Sequence, residues 1–195
     1  MRSKIMIDKK ITVVGIDLAG SEKNPSGWAS LKNGELNVCE FFKDNEICNE
    51  TASMKPDLVA IDAPLSKPVK GILRFPDREM LRRHYPVFPP LFKSMQSLTE
   101  RAIRISESLG EININLIEVH PSSSMKALGV PKNNLRRIKL ILKKYGLLRR
   151  KIDLTTHEID AAFSAITAYL HVKGLTELVG NIKEGFIVLP LGDKK

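Results

Sequence analysis

Along this chain, near-continuous apolar runs alternate with amphipathic stretches, and turn residues bound most of them. Residues 11–18 are apolar at almost every position and rich in β-branched side chains, which predicts a strand buried on both faces. After a turn over 20–27, the apolar runs 27–31 and 36–42 flank Asn33-Gly34, a strong short hairpin signal. Three consecutive antiparallel strands are expected from that order. Residues 58–63 predict another buried strand, parallel to the first through a crossover in which 45–54 reads as a short helix. The period then becomes helical over 94–109, where Leu98, Ala102, Ile105 and Leu109 form one stripe and Gly110 stands as the expected C-terminal cap. Residues 113–119 return to a strand. Residues 131–145 predict a helix with Leu135, Ile138, Ile141, Leu142 and Tyr145 on its buried face and basic residues on the other. Thr155-Thr156-His157-Glu158 has capping-box spacing and opens a last helix that runs to about Val172, before Gly174. Residues 186–189 are expected as a final edge strand. A meander followed by strands alternating with helices is a mixed α/β order.

Against that pattern, four acids stand out because each interrupts or ends an apolar run. Asp17 ends Val13-Val14-Gly15-Ile16, Asp62 ends Leu58-Val59-Ala60-Ile61, Glu118 lies in Leu116-Ile117-Glu118-Val119, and Asp160 precedes Ala161-Ala162-Phe163. A buried carboxylate without a partner is costly, so these placements call for shared compensation, and a divalent cation is the simplest common answer. Asp17, Asp62 and Glu118 fall at or near the C-terminal ends of predicted core strands, which share one rim in a parallel sheet. Asp160 would come from the last helix, whose neighbouring alanines allow close approach to the sheet. Mg²⁺ or Mn²⁺ suits such a set of short carboxylates better than a His and Cys cage would. Three of the acids also have a plainer reading: Asp17 and Asp62 as turn caps, Glu118 as half of an ion pair. Glu158 reads as the capping-box acid. His157, one turn before Asp160, reads as ligand, base or simple first-turn residue.

Composition changes the picture in one respect. The 195 residues carry 31 Lys and Arg against 22 Asp and Glu, a net charge of +9, which favours a polyanionic partner such as nucleic acid. Residues 132–151 hold nine basic residues and no acid, and Arg136, Lys139 and Lys143 share the polar face of the predicted helix. Residues 64–90 hold six of the eleven prolines, with basic residues interleaved among Phe75, Tyr85 and Phe88, and are expected as an extended functional loop or lid. Rings among basic side chains suit stacked, unpaired bases, or else plug the core. Arg78 and Arg82, four apart, would alternatively hold one phosphate. Cys39 and Cys48 lack metal-ligand spacing and are expected as reduced thiols. No window approaches a membrane span and the first residues lack an apolar leader, so a cytoplasmic protein without membrane contact is expected.

Gly15-Ile16-Asp17-Leu18-Ala19-Gly20, Ile61-Asp62-Ala63-Pro64-Leu65, Arg74 with Asp77-Arg78-Glu79 and Arg82, Glu118-Val119-His120-Pro121-Ser122, and His157-Glu158-Ile159-Asp160-Ala161 together resemble the family called domain of unknown function 429. The last helix is similar to that of RuvC-type resolvases. The resemblance implies a ribonuclease-H-like nuclease in which Asp17 is the first-strand metal ligand and Asp160 the last-helix ligand, with Asp62 and Glu118 between them. Arg74, Arg78 and Arg82 of the Pro-rich segment, and His120, are also expected to face substrate.

The expectation is one ribonuclease-H-like domain over 1–195, with 66–93 as a Pro-rich insertion or lid. Asp17, Asp62, Glu118 and Asp160 are its metal ligands and, with His157, its catalytic residues. Arg74, Arg78, Arg82, His120, Arg136, Lys139 and Lys143 are its substrate contacts. The reaction class is hydrolysis of DNA or RNA phosphodiesters at a two-metal site by a monomer or homodimer. Two other classes stay open: a nucleic-acid-binding protein without catalysis, and a nucleotide-binding domain of the actin and sugar-kinase kind.

Overall fold

The computed structural model describes residues 7–130, 133–146 and 153–192. Among them, a single mixed sheet is sandwiched between helices. Its strands are β1 (Val13–Asp17), β2 (Ser26–Lys32), β3 (Glu35–Phe41), β4 (Leu58–Asp62), β5 (Leu116–Val119), β6 (Thr176–Asn181) and β7 (Gly185–Pro190), in the order β3-β2-β1-β4-β5-β7-β6. β1, β2 and β3 form the expected antiparallel meander, and β4 joins β1 in parallel. The Asn33-Gly34 turn closes the first hairpin with both residues at positive φ, 55° and 78°, the conformation that a tight hairpin requires.

The helices are α1 (Asp44–Met54), α2 (Phe75–Arg82), α3 (Gln96–Glu111), α4 (Pro121–Ala127), α5 (Leu135–Lys144) and α6 (Thr156–Val172). Alternate residues of the central strands feed two cores. Val13, Ala60 and Val119 pack with α4, α5 and α6 on one face. On the other, Val14, Ile16, Val59 and Ile61 pack against Ile47 of α1 and Ala102, Ile105 and Leu109 of α3. α6 is buried almost all round, and it lies unusually close to the sheet. A Cβ added at Gly15 would overlap the backbone of Ala161 and Ala165, and one at Gly27 would overlap the carbonyl of His157. The bare glycine surface lets that helix settle onto β1 and β2.

Several expectations are corrected. Residues 185–190 form an interior strand, with β7 lying between β5 and β6, so that the edge belongs to β6. β6 (Thr176–Asn181), mostly exposed and with only Leu178 and Val179 apolar, is a strand that the sequence pattern does not predict. Gly110 lies inside α3, and the chain leaves that helix through Asn113 at φ 61°. Pro121 begins α4 directly after β5, where proline fits the first turn of a helix. The Pro-rich segment likewise contains α2, with Pro76 in its first turn. No disulfide joins Cys39 to Cys48. Among the described residues no helix is long and apolar enough to cross a membrane.

Candidate active site

β1 and β4 run parallel, so their C-terminal ends lie on one rim. Asp17 and Asp62 are register partners there, on adjacent strands about 4.8 Å apart, and therefore point to the same face of the sheet. That face is the one α6 covers, since Val13 and Ala60, each an even number of residues earlier on its strand, pack in its core. His157, in the first turn of α6, lies across the rim: its Nδ1 is 2.7 Å from Asp17 Oδ2. An ionised carboxylate only accepts, so Nδ1 is the nitrogen that donates to Asp17, and in the neutral ring Nε2 then carries the lone pair. The Asp17 side chain is 15% exposed and that of His157 43%, so the pair is shielded from the sheet side and open to solvent above. Asp160 follows one turn later, half-buried, on the stripe that contains His157, Ala161 and Ala165. Glu158 caps the helix as its spacing suggests, accepting from Thr155 N at 3.0 Å while Thr155 Oγ1 accepts from Glu158 N at 3.1 Å.

Glu118 does not join this group. Its register partner is Ile61, one residue short of Asp62, and a one-residue offset turns the side chain to the opposite face. There it is buried and gripped by Arg74, whose Nη1 and Nη2 donate to Oε2 and Oε1 at 2.7 and 2.6 Å, while Leu65 N donates to Oε2 at 2.9 Å. Arg74 also donates to both oxygens of Asp77, through Nε at 3.1 Å and Nη2 at 2.7 Å, and to Ser66 Oγ at 3.0 Å. The expected ligand is thus the base of a buried clamp. Burial pushes the Glu118 carboxyl upward, against the pull of the Arg74 guanidinium. For Arg74, desolvation works against the charge, and the hydrogen bonds and charge of Glu118 and then Asp77 outweigh it. Arg74, expected to face substrate, is 1% exposed and points inward.

The clamp fastens the Pro-rich segment over the rim. Between the two lies a cleft of about 180 Å³, bordered by Asp17 and Asp62, by Arg74 and Glu118 of the clamp, and by His120 and Phe88. His120 Nδ1 is 2.6 Å from Ser123 Oγ at the start of α4. A second fastening comes from Glu184 in the β6–β7 turn, which accepts from Val69 N and Phe75 N, both at 2.8 Å. These bonds hold its carboxyl below the ordinary range. Glu184 carried no sequence signal. Asp77 did, as an acid three residues after Arg74 on a helix. Arg101 also did, as a cation on the apolar stripe of α3: it is buried, donating to Asp44 Oδ1 at 2.6 Å, Ala19 O at 2.7 Å and Phe42 O at 2.9 Å, which pins the loop after β1.

The other substrate-facing expectations separate. Arg78 is exposed but donates to Leu73 O at 2.7 Å, and Arg82 pairs with Glu79 at 2.8 Å, so each has an internal partner. Arg136, Lys139 and Lys143 are exposed along α5, whose buried face is Ile138 and Leu142. They do not line the cleft. Lys132, Arg149, Arg150 and Lys151 lie outside the described residues.

Among the described residues no three His, Cys, Asp or Glu side chains stand close enough to enclose a metal ion. The chemistry of the donors nevertheless fits Mg²⁺ or Mn²⁺. Mg²⁺ is usually bound through one or two carboxylates and completed by waters and substrate phosphates, and in-register Asp17 and Asp62 offer that pair.

A family model described as "Protein of unknown function (DUF429)" matches residues 15–181. No curated protein matches the sequence. Among solved structures, the fold is similar to T. thermophilus RuvC in complex with Holliday junction substrate, at TM-score 0.52 and 13% identity over 84% of this chain and 96% of that one. A Thermus thermophilus RuvC structure gives TM-score 0.48 and 13% identity over 84% and 97%. The fold is ribonuclease-H-like, as the sequence resemblance implied.

Proposed function

The chain belongs to the DUF429 family, and from that premise we propose that it is a metal-dependent nuclease that hydrolyses nucleic-acid phosphodiesters. The observation that carries the reading is the register pairing of Asp17 with Asp62 under α6, with His157 hydrogen-bonded to Asp17. Asp17 and Asp62 would hold Mg²⁺ or Mn²⁺, and Asp160 of α6, not gathered with them beforehand, would be drawn in as a third carboxylate when the ions bind. When bound, the ions supply an activated water and stabilise charge on the leaving oxygen. His157 is oriented by Asp17 through Nδ1, which leaves Nε2 to accept a proton from the attacking water or to steady it. Glu118 acts at one remove, by holding Arg74 and with it the segment over residues 66–93 that closes the cleft. A nucleic-acid partner is supported by the +9 charge and by the Holliday junction bound to the RuvC that shares this fold. Arg136, Lys139 and Lys143 would meet phosphates away from the cleft.

The test is incubation of labelled single-stranded, duplex, hybrid and branched substrates with Mn²⁺, for wild type and Asp17→Asn. Cleavage by wild type should fall by about 100-fold or more in the folded variant. Cleavage that survives the substitution, or binding without cleavage of any substrate, would overturn the nuclease reading.

A further inference from the structure

Phe88 is 70% exposed, yet it borders the same cleft as Asp17 and Asp62. Leaving a phenylalanine in water forgoes most of the stabilisation that its burial would contribute. Its backbone is not free to fold it away. On one side Tyr85 and Val87 pack against Met80, Val179, Ile187 and Leu189, and Tyr85 N donates to Met80 O at 2.9 Å. On the other, Pro90 is buried and its carbonyl accepts from Thr99 Oγ1 at 3.1 Å. Pro86, Pro89 and Pro90 fix φ at three of the positions around it. An aromatic ring is thus held out at the mouth of the cleft between two anchors, with little conformational freedom left to lose on binding.

We propose that Phe88 is a stacking platform that receives one unpaired nucleobase at the mouth of the cleft, so that single strands, frayed ends and unpaired junction nucleotides form the substrate class. The inference rests on the nucleic-acid reading above. A base within continuous duplex has both faces covered by its neighbours, so it must leave the stack before it can meet the ring. Stacking on an aromatic side chain tolerates any base, so the platform selects for the unpaired state and not for sequence.

The experiment uses the full chain in the Asp17→Asn background with Mg²⁺, to separate binding from cleavage. Oligonucleotides carrying one 2-aminopurine are presented as single strand and as continuous duplex of equal length. Phe88→Ala should weaken single-strand binding by about 5- to 150-fold and restore the 2-aminopurine emission that the ring quenches, while Phe88→Trp keeps both. Binding to continuous duplex should not change. Unchanged melting temperature of each variant confirms that the exposed ring is not a folding determinant. Single-strand affinity indifferent to Phe88→Ala, or wild-type cleavage of continuous duplex as fast as of single strand, would overturn the platform and leave the nuclease reading standing. Phe88-dependent quenching in a protein whose wild type cleaves nothing would support the platform and overturn the nuclease reading.

Discussion

Replacing Arg74 with leucine removes five side-chain hydrogen bonds at once, to Glu118, Asp77 and Ser66. Two carboxylates then face each other in a site where their side chains are only 2% and 7% exposed. Breaking a buried ion pair from one side costs about 3–5 kcal/mol, because the remaining charge stays desolvated. Two abandoned acids do not double that figure here. Asp77 keeps the Arg74 backbone N–H at 2.7 Å, and Glu118 keeps Leu65 N–H at 2.9 Å. The expected loss is therefore about 3–5 kcal/mol in total, or a melting temperature lower by about 6–20 °C for a chain of this size. Urea and thermal denaturation at neutral pH measure it. Arg74→Lys should recover only part, since one ammonium cannot serve two carboxylates in fork geometry. Arg74→Leu combined with Glu118→Leu should cost less than the sum of the single changes. The deficit of Arg74→Leu should also shrink as pH falls toward the ordinary carboxyl range, because Glu118, already pushed upward by burial, then takes a proton. A loss below about 1 kcal/mol, or one that grows on mild acidification, would refute the clamp as the element that holds the Pro-rich segment.

Gly15→Ala should destabilise by more than about 3 kcal/mol and weaken Mn²⁺ binding, because the new Cβ meets α6 backbone that cannot turn aside. Gly110→Ala has open space in α3 and should stabilise by about 0.5–1 kcal/mol; equal effects at the two sites by chemical denaturation would contradict the packing described. Glu184, held below its ordinary value by the Val69 and Phe75 amides, contributes stability that is complete above about pH 4.5 and lost as pH falls through its lowered value. The stability gap between wild type and Glu184→Gln should accordingly close on acidification, with proteolysis appearing within residues 66–75; a gap that stays constant from pH 7 to 3 would contradict the assignment.

The strand-end acids Asp17 and Asp62, the hairpin at Asn33-Gly34 and the capped start of α6 were all legible, because each depends on local chemistry: a turn, a cap, or the end of an apolar run. Glu118 looked the same in sequence and is not the same in space. Whether a strand's acid faces one layer or the other depends on its pairing register, and a single step between Ile61 and Asp62 decides it. The clamp was half visible, as Arg74 and Asp77 three apart, but its third member lies forty-four positions away. β6 was not legible, because an exposed edge strand with only Leu178 and Val179 apolar lacks the run that marks β1 and β4.

The placement of α5 has a consequence for footprint. Its C-terminal end reaches the turn between β2 and β3, where Gly146 lies against Gly34 and its carbonyl accepts from Leu36 N at 3.4 Å. That turn is at the other end of β2 from Gly27, the partner of Asp17, and a strand of that length spans roughly 20 Å. On the nuclease reading, a nucleic acid touching both the rim and the far end of α5 would extend about six base pairs from the rim, at about 3.4 Å per pair. Shorter molecules would enter the cleft without ever reaching the lysines at the distal end of α5, so that length alone would set how strongly salt competes with binding.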